Sequence, residues 1–525
     1  MTGSRLVILA SLFLVLFGNF SFFKNVADIY PPSLDNIIFL GSLAAVLSSF
    51  IILSLILVTT RYTTKPLLIL ILLVSSLASY FMDSYGVVID RGMIQNVVQT
   101  NIDEAVDLFN FRLSLYFLLL GVLPSIFVYK TNIKTGSLKV ELVSKLKAIV
   151  IAVLIMAFLI LMFSKSYASL FREHKPLRYY TNPTFYIYSI GKYISGHFDN
   201  KDEGVQAIGT DAHIAVTDVD RELIILVVGE TARADRFSLN GYARETNPLL
   251  KQEDVVSFSN VYSCGTATAV SVPCMFSNFG REGYGDNKAK HSQNLIDVLL
   301  HAGVHILWRD NNSDTRGLAH GALYEDFKSP VKNPICDVEC RDEGMLVGLQ
   351  DYISGKKEGD ILIVLHQMGN HGPAYYKRYP QSFEQFKPVC KNNELERCTR
   401  EEINNAYDNA ILYTDYFLSK VIGVLKKNSK EFETAMIYMS DHGESLGEKN
   451  LYLHGLPYFM APEEQKHIGA IMWFGEQFHI DKNALKARAA QEYSHDHLFH
   501  TVLGLMEVDT MIYDKKKDIV NYNGK

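Results

Sequence analysis

Leu223-Ile224-Ile225-Leu226-Val227-Val228-Gly229 is an unbroken apolar run that ends on Glu230-Thr231. A run of that length bounded by polar turn residues reads as a strand buried on both faces, as inside a parallel sheet. A second run, Thr434-Ala435-Met436-Ile437-Tyr438-Met439, ends on Ser440-Asp441-His442-Gly443-Glu444, and residues 304–308, 361–365 and 468–474 are shorter runs of strand length. Between residues 401 and 427, Ile403, Tyr407, Ile411, Thr414, Leu418, Val421 and Leu425 recur at intervals of three or four, which predicts a long helix. Alternation of this kind predicts an α/β/α sandwich around a mostly parallel sheet, starting near Arg221. Ligands of such sheets sit beyond the carboxyl ends of the strands, so Glu230, Asp441 and His442 are expected to converge there.

The 525 residues exceed one ordinary core, and the composition changes near residue 165. Five apolar runs, near residues 6–23, 37–58, 67–82, 113–128 and 148–163, reach or approach the roughly 17 to 25 residues that cross a bilayer. Arg5, Arg61, Lys65, Lys130, Lys134, Lys139, Lys145 and Lys147 fall on one side of these spans, and Asp28, Asp35, Asp83, Asp90, Asp103, Glu104 and Asp107 on the other. The positive-inside bias then predicts a cytoplasmic N-terminus and an exterior location for everything after about Ser164. The expected division is a five-span domain over 1–165, interfacial helices and a linker over 166–220, and a catalytic domain over 221–525. Tyr167, Phe171, Tyr179, Tyr180, Phe185, Tyr186, Tyr188 and Tyr193, interleaved with Arg172, Lys175, Arg178 and Lys192, suit segments at headgroup level or packed on the exterior domain.

All six cysteines lie in the exterior part. Proximity favours the pairs Cys264 with Cys274, Cys336 with Cys340, and Cys390 with Cys398, one of the 15 connectivities six cysteines allow. Without a C-x-x-C pair, and in an oxidising space, disulfides are favoured over a zinc-thiolate site. The net charge of −6, without a strongly basic face, offers nothing to nucleic acid.

Glu230, Asp441 and His442 form a hard and borderline donor set for a divalent ion, with a fourth place for a reacting oxygen. Thr268, in Cys264-Gly265-Thr266-Ala267-Thr268, is the natural occupant, because coordination lowers the pKa of an otherwise poor nucleophile. Thr266 and Ser271 are rivals on the same loop. His366, His371 and His454, on turn-like segments, are candidates to bind a second metal, hold phosphate or protonate a leaving alkoxide.

The motifs from Gly229 to Arg236, Cys264 to Cys274, His371 to Pro373, Ser440 to Glu448 and His454 to Tyr458 together resemble the bacterial phosphoethanolamine transferases that modify lipid A, including the mobile colistin-resistance enzymes. The resemblance spans nearly the whole chain. It implies five spans before a periplasmic domain of the alkaline phosphatase and sulfatase superfamily, in the inner membrane of a Gram-negative bacterium. It further implies one zinc ion, or two or more, with Glu230, Thr268, Asp441 and His442 as ligands of the first. Thr268 is the implied nucleophile, taking phosphoethanolamine from phosphatidylethanolamine and passing it to lipid A. His371 and His454 are implied to bind substrate or a second zinc, Asn312 and Arg316 to touch the donor headgroup, and Thr266 to contact substrate. An Arg at 316 stands where relatives often have Lys, which keeps the charge but changes the fork geometry. The expected state is a monomer; core sugar of lipopolysaccharide and periplasmic glucan are the alternative acceptors.

A sulfatase of the same superfamily needs a Cys or Ser in a C/S-x-P-x-R context, and Ser271-Val272-Pro273-Cys274-Met275 lacks the Arg. Phosphoglycerol transferases of the lipoteichoic acid synthase type lack this cysteine set. A non-catalytic receptor has no use for a hydroxyl beside a metal set.

Overall fold

The computed structural model describes residues 1–100, 102–134, 137–198 and 204–520. They form two compact units, one from Met1–Ile94 with Phe109–Ser195, the other from Gln95–Leu108 with the chain from Gly196 onward. These boundaries differ from the compositional ones. The aromatic segment after Ser164 clusters with the apolar helices, and Gln95–Leu108 clusters with the sheet domain.

In the first unit four helices are long and apolar enough to cross a membrane: Asn36–Val58, Thr64–Tyr85, Phe111–Lys130 and Lys139–Met162. The first apolar run is not one straight helix. It breaks into Gly3–Phe17 and Phe20–Ile29, bent by 55°, so the described residues hold four spans, or five when the bent pair counts as one. The break is a polar knot that the apolar reading of residues 6–23 passes over. Asn19 Nδ2 donates to Leu14 O at 2.9 Å and to Asn182 O at 2.6 Å, while Asn182 Nδ2 donates to Gly18 O, Ser75 O and Ser79 Oγ. Carbonyls released at the bend are thereby satisfied, as a kink in an apolar setting requires. Small residues let helices approach: a Cβ on Gly121 would lie 2.6 Å from Ser76 Oγ. Lys139–Met162 leaves Val150, Ile151, Val153, Leu154, Phe158 and Leu161 exposed, a surface suited to hydrocarbon. The tyrosines of the aromatic segment divide: Tyr167 and Tyr186 are buried against Ser42 and Ser75, and Tyr188 is exposed.

The second unit is built on a seven-stranded sheet among the described residues. Its strands are β1 (Glu222–Gly229), β2 (Val256–Phe258), β3 (His305–Asp310), β4 (Leu323–Asp326), β5 (Ile361–His366), β6 (Glu433–Ser440) and β7 (Ala470–Phe474), in spatial order β2-β7-β6-β1-β5-β3-β4. The strands β6, β1, β5, β3 and β4 run parallel, and β7 runs antiparallel to both β6 and β2. Every residue of β1, β5 and β6 is buried. Ile224, Leu226 and Val228 enter one apolar layer and Leu223, Ile225 and Val227 the other, so helices cover both faces.

The helix α1 (Arg400–Asn428) opens with a capping box in which Thr399 and Glu402 exchange backbone bonds. Its apolar face joins the second layer through Ile403, Tyr407, Ile411, Leu418, Val421 and Leu425. Its buried polar positions pin loops: Asp415 accepts from Leu249 N and Leu250 N, and Tyr407 Oη donates to Thr231 O. Three disulfides join Cys264 to Cys274, Cys336 to Cys340, and Cys390 to Cys398.

Gly443 shows how tightly the chain turns at the end of β6. A Cβ there would meet Glu464 O at 2.1 Å, and a backbone oxygen cannot swing away as a side chain can. Gly443→Ala is expected to destabilise the protein by about 3 kcal/mol. Thermal unfolding of the detergent-solubilised full chain should show a clearly lowered midpoint; an unchanged one would mean that this close approach is not present in solution.

Candidate functional site

Register places the chemistry. Gly229 on β1 pairs with Ser440 on β6, so Glu230 and Asp441 leave adjacent parallel strands side by side. His366 ends β5 on the other side of β1, and Asp310 ends β3 next to it. Four neighbouring strands thus deliver polar side chains to one edge of the sheet, the usual ligand edge of such folds.

Glu230, Asp441 and His442 are buried, with one ligand atom from each within 4.8 Å of the others. His442 Nε2 lies 3.4 Å from Glu230 Oε1 and 3.3 Å from Asp441 Oδ2. His442 Nδ1 is 2.9 Å from Gly443 O, so it donates there and leaves the Nε2 lone pair facing the carboxylates. Asp441 Oδ1 accepts from Thr231 N and His442 N, which fixes its plane. Burial pushes the Asp441 carboxyl up against the opposing pull of these hydrogen bonds, and burial, then the His454 charge, push the His442 imidazole well down. Two carboxylates and a neutral imidazole converging in a dry site are poorly served by protons and well served by a divalent cation. The donor set therefore fits a metal.

Thr268 Oγ1 lies 3.1 Å from Glu230 Oε2 and 3.3 Å from His442 Nε2. It is the first residue of the short helix Thr268–Met275. The rival hydroxyls are engaged elsewhere. Thr266 Oγ1 donates to Leu456 O at 2.6 Å, and Ser271 Oγ accepts from Gly265 N at 3.0 Å. Thr266 O also accepts from Gly455 N, so Thr266 ties the loop carrying His454 to the loop carrying Thr268.

A family profile described as phosphoethanolamine transferase EptA/EptB matches residues 46–198, and one described as sulfatase matches residues 222–508. Phosphatidylethanolamine transferase Mcr-2 of Escherichia coli is 43% identical over 513 residues, 95% of this chain and 94% of the relative. Phosphoethanolamine transferase EptA of Escherichia coli strain K12 is 39% identical, over 98% of this chain and 96% of the relative. The chain belongs to the phosphoethanolamine transferase family. The solved integral membrane protein lipooligosaccharide phosphoethanolamine transferase A (EptA) from Neisseria meningitidis superposes with a TM-score of 0.95 at 35% identity, over 99% of this chain and 98% of that one. The second unit accordingly has the alkaline phosphatase and sulfatase fold, and the first resembles the membrane part of EptA.

The other candidate residues of this phosphoethanolamine transferase fall into two groups. His454 lies beside the metal set, its ring centroid 4.3 Å from that of His442 and 5.6 Å from that of His371. Glu444, fully buried, reaches His454 Nδ1 at 3.3 Å, and burial raises its carboxyl. Glu444 carries no role in the sequence reading, although its place two residues after His442 was a usable signal. Asn312 Nδ2 donates to Glu230 Oε2 and to Gln367 O, both at 2.8 Å. Arg316 is farther out in the network, donating to Ser313 Oγ at 2.7 Å and to Gln99 Oε1 at 3.1 Å from a left-handed backbone, φ 52°. Asn312 lines a cavity of about 340 Å³ with Lys328 and Met368, whereas Arg316 lines another of about 420 Å³ with Ala269 and His320.

His495 was invisible to sequence reasoning, since no motif surrounds it. Its Nδ1 accepts from Cys264 N at 3.0 Å and its Nε2 donates to Ser440 O at 2.9 Å, joining the Thr268 loop to the end of β6. Burial pushes its pKa down, which keeps the neutral ring that this bridge requires. His495→Ala is expected to slow transfer about tenfold or more by loosening Thr268, with Glu230, Asp441 and His442 left in place. Steady-state transfer rates alongside metal content check this; an unchanged rate would show that the disulfide holds the loop without His495.

Proposed function

We propose that this transferase moves phosphoethanolamine from phosphatidylethanolamine to a lipid A phosphate through a covalent intermediate on Thr268. The observation that carries the reading is the Thr268 hydroxyl within 3.3 Å of both Glu230 and His442, in a family whose named members are phosphoethanolamine transferases. Zinc is the proposed metal, held by Glu230, Thr268, Asp441 and His442. When bound, it supplies Lewis acidity that lowers the pKa of a coordinated hydroxyl and neutralises charge on a phosphoryl oxygen.

The chain's own groups do the rest. Thr268 Oγ1 directs its hydrogen toward Glu230 Oε2, and its oxygen forms the bond to phosphorus as the bond to the glycerol oxygen breaks. His371 and Asn312 hold the donor headgroup, and Thr266 shapes the wall beside it; Arg316 lines a separate cavity and stays outside these contacts. His371 stays neutral, because burial and then the His454 charge push its pKa well down. The Glu444 and His454 pair passes a proton to the leaving glycerol oxygen, giving diacylglycerol. An oxygen of a lipid A phosphate then bonds to phosphorus as the phosphorus–Thr268 Oγ1 bond breaks; Thr268 recovers its proton from Glu230, and the hydroxyl proton of the attacking phosphate returns to the Glu444 and His454 pair.

The proposed setting is the inner membrane of a Gram-negative bacterium, with five spans over residues 1–165, a cytoplasmic N-terminus, and residues 221–525 as a monomeric catalytic domain in the periplasm. Residues 166–220 connect the two. An ethanolamine ammonium on an anionic headgroup lowers net negative surface charge, which weakens adsorption of cationic peptides such as polymyxin.

Mass spectrometry of lipid A from Gram-negative cells expressing the chain tests this reading. The expected result is a gain of one phosphoethanolamine unit together with lowered polymyxin susceptibility. Modification confined to core sugar or periplasmic glucan would overturn lipid A as the acceptor and keep the transfer chemistry.

A further inference from the structure

Glu230 is held from outside the metal set by a buried chain of hydrogen bonds. Asp310, at the end of β3, accepts three: from Trp308 Nε1 at 3.1 Å and His366 Nδ1 at 2.8 Å on Oδ2, and from Asn312 N at 2.9 Å on Oδ1. Asp310, Trp308 and His366 are completely buried, so no water competes for these bonds. Asn312 then spends both hydrogens of its amide, one on Gln367 O and one on Glu230 Oε2. The bond to Gln367 O fixes the amide plane, and the bond to Glu230 Oε2 fixes which carboxylate oxygen faces Thr268. Glu230 Oε1 is left on the side of His442 Nε2.

We propose that Asp310, braced by Trp308 and His366, is a positioning residue that sets the orientation of the Glu230 carboxylate through Asn312. The inference rests on the metal reading of the site and goes beyond it. It gives His366 a place behind the site, and it gives Asn312 a task toward the ligand Glu230 besides any contact with the donor. Ligand carboxylates depend on such outer bonds, and losing one typically costs about 10- to 100-fold in metal affinity or activity.

The test is zinc affinity of the full-length protein in detergent, by competition with a chromogenic chelator, for the parent, Glu230→Gln, Asp310→Asn, Asn312→Ala and the Asp310→Asn/Asn312→Ala double variant. Asn at 310 has one carbonyl oxygen for donors that approach from two sides, so one link must fail. Both single variants are expected to weaken zinc binding about 10- to 100-fold. The double variant should be no weaker than the worse single one, because both act along one chain. Should Asp310→Asn not fold, His366→Ala removes one bond to the same carboxylate and His366→Asn restores a donor there; loss in the first and recovery in the second carries the same conclusion. Zinc affinity within twofold of the parent in all these variants, with lowered thermal midpoints, would overturn the inference and leave a structural role. So would a raised KM for phosphatidylethanolamine in Asn312→Ala at unchanged zinc affinity. A parent whose zinc binding does not respond to Glu230→Gln would instead overturn the metal reading, and this inference with it.

Discussion

Thr268→Ala is expected to abolish phosphoethanolamine transfer, lowering the rate on the order of 10⁴-fold or more while the protein stays folded. Effects of that size follow when the atom that forms the covalent bond is removed and binding alone remains. Thr268 is buried at the start of a short helix, and its hydroxyl faces Glu230 and His442. The two other hydroxyls of the loop are engaged: Thr266 is bonded to Leu456 O and Ser271 to Gly265 N. Diacylglycerol release from phosphatidylethanolamine by the purified protein measures the effect. Thr268→Ser, which keeps an oxygen at nearly the same place, should retain a measurable fraction of the rate. Equal activity in Thr268→Ala would assign the nucleophile to water and remove the covalent step.

Asp441→Asn is expected to lower transfer at least about 10³-fold through loss of the metal, and to stabilise the metal-free protein. Asn can still accept from Thr231 N and His442 N through Oδ1. Its amide then stands where Asp441 Oδ2 faces His442 Nε2 at 3.3 Å, and an N–H group repels a cation there. The stability effect has a definite sign. Burial raises the Asp441 carboxyl above its ordinary 3.8. A carboxyl raised in the folded state stabilises when protonated; that contribution is complete below about pH 3.8 and is lost as pH rises through the folded value. The metal-free parent therefore carries an unfavourable buried charge at neutral pH that Asn lacks. Thermal unfolding after chelation should show the advantage of Asp441→Asn growing as pH rises above about 3.8 and levelling off once the folded carboxyl is ionised. An advantage that shrinks over that range would contradict the assigned direction of the shift.

The same conflict between stability and function explains why much of this site could be read from residues. Glu230 and Asp441 each follow a strand buried at every position, and a carboxylate in that position is costly unless something uses it. Because β1 and β6 are neighbours in register, the two ends meet. The long helix α1 was equally legible, from its periodicity and from Thr399 and Glu402 at its start. Other features lacked a local signal. Val256–Phe258 and Leu323–Asp326 are short edge strands whose few residues carry no alternation to detect. An apolar run such as residues 468–474 reads the same in either direction, so the antiparallel placement of β7 rests on tertiary packing. The bend after Phe17 depends on Asn182, more than 160 positions away. His495 acts through two long-range bonds, and Asp310 couples one long-range bond to two local ones; a buried His or Asp of this kind looks in sequence like any other. Glu444 shares a motif with Asp441 and His442, and its task shows only in its contact with His454, ten residues on.

Peptide mass spectrometry of the purified protein after incubation with phosphatidylethanolamine, without acceptor, is the most direct measurement of the central claim. The account predicts one phosphoethanolamine unit on Thr268, absent from Asp441→Asn and removed when lipid A is added. Release of diacylglycerol with Thr268 unmodified, or a modification that persists after lipid A is supplied, would contradict it.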